Sequence, residues 1–595
     1  MTTYTRRTVL TSGLTAAALG AASAASAGDG GGGAHRGEHG WVTSHLRRMS
    51  TEQKIGQLFV QNVYGSDAAT PDPRNLPLYG VASPVEVVQK YQLGGVIYFA
   101  WTDNVQDPDQ IVALSNDLQE AASQGRNKVQ IPLQIAIDQE GGLVTRIGPP
   151  ATPFPGAMAL GAGRSAEDAR AAADIIGSEL RAMGVNTNFA PVCDVNVDPA
   201  NPVIGTRSFS SDPALAAEMA AAQVRGFQDD GGVAASAKHF PGHGDTAVDS
   251  HVAFPIITHT RQEWEEIDAP PFRAAIEAGI DMIMTAHLAF PALDDSGDPA
   301  TLSHPILTGV LREELGFDGV IVTDALNMQG VRDLYGDAEV AVRALLAGAD
   351  QLLMTPAMDE AHAAVTDAVR TGRISRRELD DKVARILRLK YRRDIVAQPY
   401  ADPDEVSDVV GIPAHLSRAN EITDRTTTLV RNDDGVLPIA VAGTAILVTG
   451  YGVTSTSVLA DALTERGGVV TRVETGSAPS SAAIAAAVAA ASAADVVVVL
   501  TMNASTSAGQ QQLVAELRAT GATVVVVAVR NPYDIASLGD APTYLATYSY
   551  SPIAIESAAR VLAGEVAPVG TLPVDIPAAD DPDTVLYPFG HGLTW

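Results

Sequence analysis

The sequence predicts an α/β protein: an N-terminal (β/α)8 barrel of the TIM type, followed by a smaller doubly wound α/β sandwich domain. Between Gly56 and Thr355, short runs of Val, Ile, Leu and Ala alternate with longer amphipathic stretches, the pattern of parallel βα units. Eight such runs are present, the number that closes a barrel of this kind. A thinner α/β alternation follows a proline-bearing stretch that holds Pro399, Pro403 and Pro413, as expected of a second sheet domain beyond a linker.

Taken in order, the barrel strands are expected at 58–61, 95–99, 133–138, 186–190, 234–239, 281–287, 319–324 and 350–355. Helices between them are expected at 108–123, 166–183, 213–228, 261–278 and 305–315, each with apolar residues three and four apart. A basic helix at 375–391 ends a barrel placed at 45–393, residues 394–420 read as a linker, and the second domain covers 421–595. In that domain, runs at 444–449, 469–473, 495–501, 522–529 and 544–547 imply a sheet of five or six strands. The Ala-rich helix at 481–494 reads as packing material. The glycines Gly450 and Gly452 lack the spacing of a dinucleotide or phosphate loop and read as a turn, so no cofactor is expected there.

At the N-terminus, Arg6-Arg7 followed by an Ala- and Gly-rich run and Ala25-Ser26-Ala27 predicts a twin-arginine export signal at 1–27 and hence a secreted protein. Residues 28–44 read as a flexible mature terminus. Cys193 is the only cysteine, which rules out an intramolecular disulfide and suits a protein folded before export. With 40 basic against 70 acidic residues and a net charge of −30, binding to nucleic acid or to an anionic membrane is not expected. No later segment reads as a membrane span, and the oligomeric state is left open.

The densest chemistry lies at 238–251, where three histidines, one lysine and two aspartates occupy fourteen residues after an apolar run. Burying so many ionisable groups without a task would be costly. Polar residues also close other strands: Asp138, His239, His287 and Asp324. In a (β/α)8 barrel, these tips share the rim on which active sites lie. Asp324 ends Val320-Ile-Val-Thr-Asp324, where a carboxylate can attack an electrophilic carbon, although an aspartate there also serves as a helix cap. His251, with Asp249 two residues before it, is a candidate proton donor. Asp138 and its neighbours Gln139-Glu-Gly-Gly142 suit sugar hydroxyls, with the glycines admitting a ligand close to the backbone. Arg207 offers a fork of donors. Arg146, Lys238, His239 and His287 complete the substrate-binding candidates. His239, His243, His251 and Asp245 could instead converge on a metal, but the first strand lacks the His-X-His pair of a metal-dependent barrel hydrolase, and no metal is expected.

Together these pieces, Asp138-Gln-Glu-Gly-Gly142, Ile204-Gly-Thr-Arg-Ser-Phe209, Lys238-His-Phe-Pro-Gly-His-Gly-Asp-Thr246, Asp249-Ser-His251 and Val322-Thr-Asp324, resemble glycoside hydrolase family 3, in its β-N-acetylglucosaminidase branch. The likeness extends from about residue 45 to 595 through Pro568-Val-Gly-Thr-Leu-Pro573 and the stretch 586–593. It implies that Asp324 is the nucleophile, that Asp249 and His251 form the acid/base pair, and that Asp138, Arg207, Lys238 and His239 bind the nonreducing sugar. The expected activity is exo-acting, retaining release of terminal β-linked N-acetylglucosamine from peptidoglycan fragments or chitin oligosaccharides through a glycosyl-aspartate. The β-glucosidases of the family take their acid from a glutamate in the second domain instead. Rival readings are a phosphorylase using the same residues, a β-glucosidase, a metal-dependent hydrolase and a silent carbohydrate-binding protein. Asp359-Glu360, the nearest match to the carboxylate pair of acetamido-assisted hydrolysis, falls beyond the eighth strand.

Overall fold

The computed structural model describes residues 31–124, 129–249, 254–539 and 541–595. The expected export signal and His251 lie outside the described residues. Eight short parallel strands form the first sheet: β1 (Phe59–Asn62), β2 (Gly95–Ile97), β3 (Gln134–Ile137), β4 (Thr187–Asn188), β5 (Ala234–Phe240), β6 (Met282–Thr285), β7 (Val320–Val322) and β8 (Leu352–Leu353). They pair in sequence order, with β8 beside β1. The ring is completed by the Val322–Gln351 bridge and by the Asp350 N–H donating to the Ile321 carbonyl at 2.7 Å. Every strand residue is buried, as a parallel sheet sheathed in helices requires.

Strands β4 and β8 are shorter than the sequence suggests. At β4 a side chain takes over from the ladder: Asn188 accepts from the Gln139 N–H and donates to the Gln139 carbonyl, both at 2.9 Å. The helix expected at 261–278 contains a wide π turn at Trp264–Asp268 before Ala269–Glu277. Pro270 and Pro271 stand at the junction and bring no N–H, so the ordinary bonds cannot run through it.

Residues 28–44 were expected to be flexible, but Gly31–Arg48 form a helix. Contacts to the last barrel helix, Arg376–Arg392, account for this order. The Glu38 carboxylate accepts from Arg392 at 2.8 Å, and the Trp41 ring lies 5.6 Å from Tyr391. Residues 394–420 carry the short helix Val406–Val409 and most of Pro413–Asp424.

The second domain is a six-stranded sheet in the order β11-β10-β12-β13-β14-β9: β9 (Thr428–Asn432), β10 (Ala445–Gly450), β11 (Val469–Glu474), β12 (Val496–Thr501), β13 (Thr523–Ala528) and β14 (Thr543–Ala546). Along β12, Val497 and Val499 enter one core, while Val498 and Leu500 enter the other, so helices cover both faces. The turn after β10 is needed for packing, since a Cβ on Gly450 would lie 2.1 Å from the Leu500 carbonyl oxygen. Strand β9 runs antiparallel to β14. The sequence reading does not place it, because it begins four residues after Pro413–Asp424 and no turn cluster sets it apart. A small antiparallel pair, β15 (Ile576–Pro577) and β16 (Val585–Tyr587), lies near the end of the chain.

The two domains share a seam. The barrel helix Ala157–Gly163 inserts Met158, Ala159 and Ala162 into the second domain's core. Gly161 passes the Phe209 carbonyl so closely that a Cβ would stand 1.9 Å from it. Around this helix, Arg164 Nε donates to Thr571 Oγ1 at 2.6 Å, and Ser210 Oγ donates to the Pro573 carbonyl at 2.5 Å.

Beneath the barrel, Lys390 is wholly buried and uses all three ammonium donors, on Gln57 Oε1 at 2.7 Å, the Gly94 carbonyl at 2.7 Å and the Pro132 carbonyl at 2.8 Å. Replacing Lys390 by Met leaves three buried acceptors unmet. We expect a loss of about 3 kcal/mol or more, read as a lower urea midpoint; an unchanged midpoint would show that the lysine does not tie these loops.

Candidate active site

The carboxyl ends of the barrel strands open into a cavity of about 380 Å³. Ile97, Met284 and Leu353 line it from β2, β6 and β8. Asp138, Glu140, Arg146, Arg207, Lys238, His239, Asp249 and Asp324 supply its charge.

One wall is an ion cluster centred on Lys238, whose side chain is only 3% exposed. Its ammonium meets Asp138 Oδ1 at 2.8 Å and Glu140 Oε1 at 2.7 Å. Arg207 clasps the other side of Glu140 in bidentate fashion, Nη2 to Oε1 at 2.8 Å and Nε to Oε2 at 3.0 Å. Burial alone would raise the Glu140 carboxyl, but the charges of Arg207 and Lys238 outweigh it and hold the group far below the carboxylate range. Burial likewise disfavours the charged Lys238, yet Asp138 and Glu140 raise its pKa. Arg146 stands 3.8 Å from Asp138 Oδ2, with its guanidinium over the Phe99 ring. Arg207, expected to grip a ligand with its fork, spends that fork on Glu140.

The second feature is Asp194, fully shielded and just after β4. Its carboxylate accepts from the backbone N–H of His239 at 3.1 Å and of His243 at 2.8 Å, and it meets His239 Nδ1 at 2.7 Å. One side chain thus sets both the ring of His239 and the first turn of the loop after β5. Burial pushes the His243 imidazole down to about 4, against the pull of Asp194.

Asp324 stands one residue beyond Thr323, at the tip of β7, and its Oδ1 accepts from the Ala325 N–H at 2.7 Å. Burial would raise its carboxyl. His239 and His287, then the Ala325 N–H and Lys238, overcome that and keep it below the usual range, so it is anionic at neutral pH. His287, just beyond the end of β6, is expected from its strand-end position to face a ligand. It is instead wholly buried, with Nδ1 on Thr301 Oγ1 at 2.8 Å and Nε2 on the Ala325 carbonyl at 3.1 Å, so it acts by holding the turn behind Asp324.

The loop after β5 is anchored at its stem. Trp264 Nε1 donates to the Pro241 carbonyl at 2.9 Å, and His259 bridges Asp245 at 3.1 Å and Asp268 at 2.7 Å. Gly242 lies so near Asp268 that a Cβ would stand 2.7 Å from Oδ1. Asp249, farther along the loop, lines the cavity. The metal reading loses a ligand here, because Asp245 is committed to His259; among the described residues, no three His, Cys, Asp or Glu side chains form a ligand group. Asp359, the alternative carboxylate, is drawn away from the cavity to Lys90 at 2.7 Å and Tyr91 at 2.8 Å. Asp194, His259 and Asp268 escape the sequence reading. Glu140 lies inside a motif that reading quotes, without a role of its own.

Residues 50–389 match the Glycosyl hydrolase family 3 N terminal domain, and residues 427–595 match the C-terminal domain of the same family. The chain belongs to glycosyl hydrolase family 3. It is 41% identical over 378 residues to Beta-hexosaminidase A of Pseudoalteromonas piscicida, covering 60% of this chain and 62% of that protein. It is 31% identical over 572 residues to a Beta-N-acetylglucosaminidase/beta-glucosidase of Cellulomonas fimi, covering 90% and 95%. Among solved structures it is similar to a glycoside hydrolase family 3 beta-N-acetylglucosaminidase from Paenibacillus sp. str. FPU-7, with a TM-score of 0.81 and 38% identity, over 88% of this chain and 99% of that one.

His259 is raised to about 10 by its bonds to Asp245 and Asp268, against the effect of burial. A raised folded pKa gives stability that is full below the unfolded value near 6.5 and lost as pH climbs through 10. Burial raises Asp268 to about 6, so both partners are ionised from pH 7 upward. The stability gap between wild type and His259→Gln should therefore shrink steadily from pH 7 to pH 11 in urea titrations. A gap that widens over that range would dismiss the clamp.

Proposed function

We propose that the chain is an exo-acting, retaining β-N-acetylglucosaminidase. The carrying observation is Asp324: a carboxylate at the tip of β7, held anionic by surrounding positive charge, at a cavity also lined by the fixed ion cluster of Asp138, Glu140, Arg207 and Lys238. Relatives named as hexosaminidases and N-acetylglucosaminidases support this reading. A cavity lined from the strand ends by Ile97, Met284 and Leu353 suits one terminal sugar rather than the interior of a chain.

In the first step Asp324 attacks C1 and forms a glycosyl ester while His251 protonates the departing oxygen. In the second, His251 takes a proton from water, which attacks C1 and frees the sugar with its β configuration kept. Asp249 orients the imidazole and favours its charged form. Asp138, Arg146, Lys238 and His239 take the sugar hydroxyls. The substrates we infer are peptidoglycan fragments or chitin oligosaccharides, met outside the cell after twin-arginine export. The double name of the Cellulomonas fimi relative favours one second reading, a side activity on β-glucosides.

Asp324→Asn should lower kcat on aryl N-acetylglucosaminide by at least about 1000-fold; near-normal turnover, with contaminating activity excluded, would remove Asp324 from the role. For His251→Ala, a substrate with a good leaving group should lose less than one with a poor leaving group, since the missing proton matters less; equal losses would argue against proton donation. NMR of the products from aryl N-acetylglucosaminide and aryl glucoside, with and without phosphate, tests the activity itself. Free β-N-acetylglucosamine as first product is expected, and a sugar 1-phosphate would mark a phosphorylase.

A further inference from the structure

The cavity has one cation that neither the catalytic scheme nor the ion cluster uses. Arg530 follows β13 in the second domain and reaches the cavity across the seam. Every other arginine or lysine lining that cavity engages a carboxylate: Arg146 with Asp138, Arg207 with Glu140, and Lys238 with both. Arg530 makes no ion pair or hydrogen bond with the described residues, and its Nε is buried without a partner. It is held from behind. Pro532–Ser537 form a 3-10 helix whose Tyr533 hydroxyl accepts from Asn196 Nδ2 of the barrel at 3.3 Å, and Asn531 packs toward Gly205. A guanidinium brought to a reaction cavity without an ion-pair partner of its own among the described residues is a poor structural element and a good oxyanion receptor.

Its side of the cavity follows from topology. The terminal sugar sits among strand-end residues, so the group being cleaved off projects outward, toward the domain that supplies Arg530. In a retaining enzyme the second-step acceptor enters where the leaving group departed. We propose that Arg530 is an oxyanion-binding residue on the leaving-group side. It takes either the carboxylate of an acidic leaving sugar, such as the lactyl group of N-acetylmuramic acid, or a free phosphate. This rests on the reading above that Asp324 forms a glycosyl ester, which water or phosphate can then take; the carboxylate outcome would separate peptidoglycan fragments, which carry that group, from chitin oligosaccharides, which do not.

The test compares wild type, Arg530→Gln and Arg530→Lys on N-acetylglucosaminyl-β-1,4-N-acetylmuramic acid and on N,N′-diacetylchitobiose, and then on aryl N-acetylglucosaminide with and without inorganic phosphate. For a carboxylate ligand, the ratio of kcat/KM for the acidic over the neutral disaccharide falls at least about tenfold in Arg530→Gln, with Arg530→Lys between, and phosphate has no effect. For phosphate, wild type is accelerated and releases sugar 1-phosphate, and Arg530→Gln loses that response. An unchanged ratio together with no phosphate response, or equal losses on both disaccharides, overturns the proposal. If wild type cleaves neither disaccharide nor the aryl N-acetylglucosaminide, the glycosidase reading fails. Calorimetric titration of the acidic disaccharide and of phosphate into wild type and Arg530→Gln then still decides whether Arg530 binds an oxyanion: weaker binding by the variant upholds it, and equal binding or none overturns it.

Discussion

The buried ammonium of Lys238 is the constraint on which the site depends. It stands between Asp138 and Glu140, and Glu140 is in turn clasped by Arg207. Removing any member would strand a charge in a poorly hydrated place, a far larger penalty than the net worth of the pair. The cluster therefore locks the tips of β3 and β5 to the loop after β4. That lock gives the wall of the cavity a single arrangement before a sugar arrives, which is what binding and catalysis both require.

Asp194 extends the same logic to the chemistry. By receiving two backbone N–H groups and one imidazole, it converts the end of β5 into a turn of defined shape. His259 then pins the stem of the loop that continues to Asp249. The loop is thus fixed at its root, and Asp249 farther along it lines the cavity. Asp324 keeps its charge in part through the same histidine that Asp194 orients. Asp324 and the loop are therefore tied through His239 as well as through the barrel.

Much of this was legible in the sequence. Strand-to-helix alternation exposed the barrel because most of the parallel strands are rich in apolar residues and several end in a polar one; Asp138, His239 and Asp324 stand out for that reason. The second domain's Val-rich strands announced themselves similarly. What escaped depends on partners remote in sequence. Asp194 is an aspartate after a two-residue strand, and only the fold brings it under His239. His287 sits at a strand end like the others, yet Thr301 and the Ala325 carbonyl draw its ring away from the cavity. Arg530 ends a strand too, but in a domain whose approach to the barrel no local pattern records. The order of Gly31–Arg48 likewise comes from Tyr391 and Arg392, far along the chain.

The helix Ala157–Gly163 has a further consequence. Three of its apolar residues, Met158, Ala159 and Ala162, lie in the hydrophobic interior of the neighbouring domain, so the boundary between the two units does not follow the order of residues along the chain. A barrel cut free after its last helix would present Met158, Ala159 and Ala162 to water and be prone to self-association. Any homologue that lives as a lone barrel must therefore have recast this one helix in polar residues or found it another cover.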